Sequence, residues 1–183
     1  MNEQGGNRLW DLSLSRRPAT LTGGAWVGQG LRLDGIAGHA DTTVNLSILS
    51  QLSVVARVRV KHAGVGSVVD NSSVQLIEDF DDAVFVTTGA EARVNGVFTV
   101  DSWIHLVGTY GGGRSRLYIN GILRANVAAG ALAIVGTMMT IGVSWDGDVD
   151  YVAVYGRRLS PGEVFRLANE PWDFLDGRHS RVV

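Results

Sequence analysis

The chain has 183 residues, enough for one domain with a sizeable core, and 45% of them are hydrophobic. A net charge of −2 and a pI near 6.0 give no broad positive field of the kind that draws nucleic acid. Cysteine is absent, so a disulfide framework and a thiolate metal site are excluded, and no run of about 18 apolar residues offers a membrane span.

Glycine is abundant, 24 residues against three prolines, and it is scattered without a period. That distribution suits many tight turns between short strands. In chain order, the first clear element is "GLRLDG", with Leu31 and Leu33 predicted to face inward. "LSVVARVRV" follows with strict alternation: Leu52, Val54, Ala56, Val58 and Val60 face a core, and Ser53, Val55, Arg57 and Arg59 face the other way. Strand-like runs continue at 74–77, 83–88, 92–99, 103–110, 117–120, 138–142 and 151–155. Asn120-Gly121 is a strong hairpin-turn signal. One segment predicts a helix, "LSPGEVFRLANE": Ser160 as N-cap, Pro161 at the first helical position, Glu163 closing a capping box. Its apolar stripe would be Val164, Phe165, Leu167 and Ala168. Strands and turns at such close spacing predict an all-β sandwich or barrel, with residues 1–170 as the domain and 171–183 as a tail.

Three segments in order resemble the laminin-G-like, concanavalin A-like jelly rolls. "LWDLSLSRRPATLTGGAWVGQGLRLDG" is similar to the family's opening, where an Asp-containing segment leads to a Gly-rich turn and a Leu-x-Leu-Asp-Gly strand. "WIHLVGTYGGGRSRLYINGIL" resembles its Trp-x-His-x-x-Gly-Thr-Tyr-Asp-Gly and Leu-Tyr-x-Asn-Gly pattern. "IGVSWDGDVDYVAVYGRRLSPGEVFRLA" resembles its closing Ile-Asp-Glu-Val strand and helix. Two departures stand out: the family's Tyr-Asp-Gly is Tyr110-Gly111-Gly112, and its Ile-Asp-Glu-Val is Val149-Asp150-Tyr151-Val152. The resemblance implies a two-sheet antiparallel jelly-roll sandwich of concanavalin A-like type with one short C-terminal helix. It implies no single function, since relatives include lectins, pentraxins, glucanases and structural domains.

Glucanases of this fold carry their acid and nucleophile as Glu-x-Asp-x-x-Glu on one strand, which sets two carboxylates in one cleft. This sequence has no such motif, no clustered histidines and no nucleophile elbow, so a non-enzyme is expected. Asp146, Asp148 and Asp150 alternate; they are read as a polar turn, with calcium as the cation they would take if their oxygens converge. No other cofactor is expected. Trp145 beside them is either a platform for a sugar ring or a cover on the sandwich edge, with Asp146 and Asp148 as its companions in a ligand site. Trp103 and His105 are read as packing groups near the core, Trp10 and Trp26 as lids on the sandwich ends. Glu78, Asp79, Asp81 and Asp82 read as a solvated hairpin tip.

Two stretches are set aside for partners. Residues 125–136, small, apolar and uncharged, hold either a buried strand at 132–135 or a contact surface for a second copy of the chain. The tail carries Trp172, Phe174, Arg178 and Arg181, candidates for docking, and "LANEPWDFLDGRHSRVV" resembles the endings of single-domain bacteriophage proteins of this type. The N-terminus shows no basic segment followed by an apolar run, so no export signal is expected. The expected function is therefore a virion structural protein: a capsid decoration or fibre-associated adhesion domain. Its partners would be capsid or other virion proteins and surface glycans, not nucleic acid or membrane. The alternative is a stand-alone carbohydrate-binding module, assisted by calcium.

Overall fold

A computed structural model describes residues 7–9, 11, 16–28, 30–136 and 138–171. Strands β1 (Arg8–Leu9), β2 (Ala19–Thr22), β3 (Ala25–Val27), β4 (Gly30–Asp34) and β5 (His39–Asp41) open the chain. β6 (Leu52–Val60), β7 (Gly64–Asp70), β8 (Gln75–Phe80), β9 (Asp82–Thr87) and β10 (Ala90–Val94) follow. β11 (Trp103–Tyr110), β12 (Arg114–Ile119), β13 (Ile122–Ala128), β14 (Thr140–Val143) and β15 (Asp146–Tyr155) precede helix α1 (Pro161–Asn169). They form an eight-stranded sheet, β1-β2-β5-β14-β7-β8-β9-β10, and a seven-stranded sheet, β13-β12-β11-β6-β15-β4-β3, both antiparallel. This is the jelly-roll sandwich expected from the sequence.

Alternation decides which residues fill it. Leu52, Val54, Ala56, Val58 and Val60 of β6, with Leu31 and Leu33 of β4, join Leu76, Phe85, Leu106, Leu117 and Ile141 between the sheets. Phe85 lies against Gly108, where a Cβ would sit 2.1 Å from its ring. Any larger residue at 108 would push the sheets apart. The Asn120-Gly121 turn joins β12 to β13 with φ of 49° and 81°, the left-handed pair that a two-residue hairpin requires.

Helix α1 packs on the outer face of the seven-stranded sheet. Val164 and Leu167 meet Val55, Val107, Tyr118, Tyr151 and Leu159 in a second, smaller core. The capping box forms as predicted: the Ser160 hydroxyl accepts from the Glu163 amide at 3.3 Å, and the Glu163 carboxylate accepts from the Ser160 amide at 2.8 Å. Arg157 grips the same carboxylate at 2.6 Å. Phe165 departs from the expected stripe; it is 58% exposed, because the sheet is met along the Val164–Leu167 line.

Several boundaries move. The predicted run 92–99 ends as a strand at Val94. β15 starts at Asp146, so the acidic run expected in a turn is strand. Residues 132–135 form no strand: Leu132 and Ile134 pack against the core, while Val135 points to solvent. Here the chain crosses from the edge of one sheet to the middle of the other, held by Thr88 and Ser73 hydroxyls donating to the Ala133 and Val135 carbonyls. Trp26 packs against the core. Trp10 and the tail residues Trp172, Phe174, Arg178 and Arg181 lie outside the described residues.

Candidate functional site

The outer face of the seven-stranded sheet is only partly covered by α1. Beyond the helix, strand register builds a polar row from four strands: Trp103 of β11 opposite Arg59 of β6, Arg59 opposite Asp148 of β15, and Asp148 opposite Arg32 of β4. The next row sets His105 opposite Arg57 and Arg57 opposite Tyr151. A bulge between Val149 and Tyr151 adds one residue to β15, and that residue, Asp150, reaches Arg57 at 2.5 Å. Bulges re-aim side chains in this way.

The charges are arranged in layers. Asp148 and Asp150 are at the bottom, their side chains 1% exposed, and Arg32, Arg57 and Arg59 above them are 34%, 32% and 29% exposed. Asp148 takes the Arg32 Nε on one oxygen and the Arg59 Nε and Nη2, at 2.8 and 2.5 Å, on the other. Burial pushes the Asp148 carboxyl up, but the hydrogen bonds from Arg32 and Arg59 outweigh it and hold it below the usual range. The Arg57 and Arg59 guanidinium carbons each lie 4.8 Å from the Trp103 ring centroid, so cation–π contacts help fix their positions.

Beside Arg57, on the adjacent strand β11, is His105, buried, with neither ring nitrogen hydrogen-bonded among the described residues. Burial and the neighbouring Arg57 charge lower its pKa to about 4, so it is neutral at pH 7. At the rim, Lys61 pairs with Asp101, and the His62 Nδ1 lies 2.7 Å from Asp146.

Several sequence-derived candidates change role. Trp145 is 0% exposed and meets Phe98 edge-on at 5.9 Å; it is core and offers no ring face to a sugar. Asp146 is a rim residue bound to His62, and Asp148 is a buried counter-ion. Asp150, read as part of a polar turn, lies in β15 and pairs with Arg57. Each of the three carboxylates thus has its own side-chain partner, His62 for Asp146, Arg32 and Arg59 for Asp148, and Arg57 for Asp150, and among the described residues no group of three His, Asp or Glu is placed to hold a metal ion. This donor set does not fit calcium, which needs six to eight oxygens. Glu78, read as solvated, is 1% exposed. Its neighbours behave differently: Asp79 and Asp82 flank the two-residue tip of the β8–β9 hairpin and share Arg93 at 2.7 and 2.9 Å.

Sequence reasoning placed Trp103 and His105 near the core, which holds for His105, while Trp103 is half-buried among arginines. It missed the arginines as a group. A usable signal was present: "RVR" and "LRL" each point arginine outward from a strand, and "DVD" offers carboxylates at the same spacing of two.

Two antiparallel sheets with a helix closing part of one outer face define a lectin/glucanase-like sandwich. A family model described as the concanavalin A-like lectin/glucanases superfamily, of laminin-G type, matches residues 36–165, and the chain belongs to that family. No curated protein sequence matches it. Among solved structures it is similar to Trypanosoma rangeli sialidase (17% identity, TM-score 0.71), covering 90% of this chain and 31% of that one. It is also similar to the receptor-binding domain of botulinum neurotoxin mosaic serotype C/D (14%, TM-score 0.73; 91% and 49%). A third is the binding domain of botulinum neurotoxin DC in complex with rat synaptotagmin II (15%, TM-score 0.59; 90% and 45%). The chain spans about a third to a half of these proteins, and at such identity the likeness is one of fold.

Proposed function

We propose that this chain is a non-catalytic adhesion domain whose ligand class is carbohydrate. The observation that carries this reading is the half of the outer sheet face that no described residue covers, where guanidinium donors fixed beside an indole stand about one-third exposed over buried counter-ions. The same arrangement argues against glycoside hydrolysis. Asp148 and Asp150 lie under guanidiniums rather than facing a cleft as an acid and base pair. Family membership supports the ligand class, and one fold neighbour is Trypanosoma rangeli sialidase in complex with sialic acid. The test is an immobilised glycan array read with and without chelator, alongside a hydrolysis assay on the glycans bound. Saturable binding, insensitive to chelator and without cleavage, is expected; reducing-end release would replace adhesion with catalysis.

The setting we propose is a bacteriophage particle, with the domain acting as capsid decoration or fibre-associated adhesin. The resemblance of residues 167–183 to phage proteins supports it. There, repetition over a particle would make weak single contacts effective. Quantitative mass spectrometry of purified particles tests this: a fixed ratio to the major capsid protein is expected, and complete absence would remove the virion role.

A further inference from the structure

Taking the carbohydrate reading as its basis, the geometry points to a narrower ligand class. Arg32, Arg57 and Arg59 form a site for the carboxylate or sulfate groups of an acidic saccharide.

The argument starts from donors. A guanidinium has five N–H groups in a fixed fork. Arg32 gives its Nε to Asp148, and Arg57 gives one terminal nitrogen to Asp150. Among the described residues no acceptor takes the two terminal nitrogens of Arg32, the Nε and Nη2 of Arg57, or the Nη1 of Arg59. All three side chains are about one-third exposed. Planar forks with donors to spare match carboxylate and sulfate oxygens, which accept two parallel hydrogen bonds.

Charge and rigidity give the same answer. Three guanidiniums stand over two carboxylates at the centre of the face, while Asp101 and Asp146 lie at its rim with Lys61 and His62, so the positive charge is concentrated at the centre and the face as a whole is close to balanced. Asp148 holds Arg32 and Arg59 from below, and the Trp103 ring fixes Arg57 and Arg59 from the side. Orientation is therefore set before a ligand arrives, which lowers the entropy lost on binding. Asp148 and Asp150 lie at the bottom of the face, so an anion that approaches its centre, away from Asp101 and Asp146 at the rim, meets guanidiniums first. A neutral sugar would leave the spare donors with water and gain little from them.

The experiment uses the full chain on an array carrying uronate-, sialate- and sulfate-bearing glycans, neutral glycans, and polyglutamate as a non-sugar polyanion, at 0.15 M salt. Binding confined to acidic glycans is expected. Arg32→Gln should weaken it by about tenfold or more, as expected for losing charge-assisted hydrogen bonds. Asp148 keeps Arg59 in that variant, and an unchanged melting temperature would confirm the fold. Arg32→Lys, which keeps charge and loses the fork, should fall between the two, and Arg93→Gln on the other sheet should bind as the parent does. Binding confined to neutral glycans, acidic-glycan binding unmoved by Arg32→Gln, or equal binding of polyglutamate would each overturn the assignment while leaving adhesion standing. No binding to any glycan would remove the carbohydrate reading itself.

Discussion

The two halves of the outer face of the seven-stranded sheet begin from one strand and end in opposite chemistry. β6 points Ser53 and Val55 toward helix α1 and, on the same face, Arg57 and Arg59 toward solvent. In the first half, apolar groups are sealed by Val164 and Leu167, and the Ser53 hydroxyl is used up between the Arg157 carbonyl and the Leu159 amide. In the second half no described residue seals the sheet, and the buried layer consists of carboxylates matched by guanidiniums. A sheet face is thus closed by packing or by ion pairing, and only the second leaves donors free for a partner. The closed half responds to volume and the open half to charge.

Leu159→Ala tests the closed half most severely. Leu159 is 2% exposed, and its truncation should cost about 2–5 kcal/mol, seen as a lower urea midpoint. A cost under about 1 kcal/mol would mean that the helix is loosely seated.

Glu78→Gln sharpens the contrast between a buried acid with cations and one without. Burial pushes the Glu78 carboxyl up to about 8, with only a long 3.4 Å contact from the Gly64 amide opposing it. Its folded pKa lies above its unfolded value near 4.5, so the wild type loses stability as pH rises between about 4.5 and 8. The Gln variant should therefore be more stable than wild type at pH 8, by up to a few kcal/mol, and nearly equal at pH 4. Thermal melts across that range read it directly, and parallel curves would show that the carboxyl is ionised when folded.

Asp148→Asn has the opposite sign. Asp148 is held below its ordinary value, so its contribution is present above the unfolded pKa near 3.8 and is lost as pH falls through the folded one. The variant should lose about 1.5–3 kcal/mol at pH 7, with the gap closing in strong acid. Arg59→Gln should cost less, since Asp148 then keeps Arg32. If the arginine variant were the worse of the two, the carboxylates would not be organising this face.

Ser160→Ala should have the smallest effect, about 1 kcal/mol, through loss of the cap that anchors α1. Glu163, lowered to about 2 by Arg157 first and then by Ser160, should make that loss constant from pH 5 to 8. A pH-dependent difference within that range would point to another acid at the helix start.

The fold was legible because its signals are local. Alternation named the inner residues of β4 and β6, Asn120-Gly121 named a hairpin, and Ser160, Pro161 and Glu163 named the helix start. The site was legible only in fragments. Asp148 was singled out for the wrong chemistry, since a run of three aspartates looks like a polar turn until the arginines of β4 and β6 are set beside it. For Trp145 the sequence left a sugar platform and a packing role open; β15 begins at once after it, and the indole turns into the core. Phe165 looked buried by periodicity, yet the helix meets the sheet along one line.

What the sequence by itself determined is therefore what period and turn chemistry dictate: strands, inward faces, the hairpin and the capped helix. These depend on residues within a few positions of each other, where sterics and local hydrogen bonds decide. What the tertiary structure alone decided is partnership: Arg32 and Asp148 are 116 positions apart, Arg59 and Asp148 89, and Arg57 and Asp150 93. Ion pairing at such separation is set by strand order and register, and a one-residue slip would move each side chain to the opposite face.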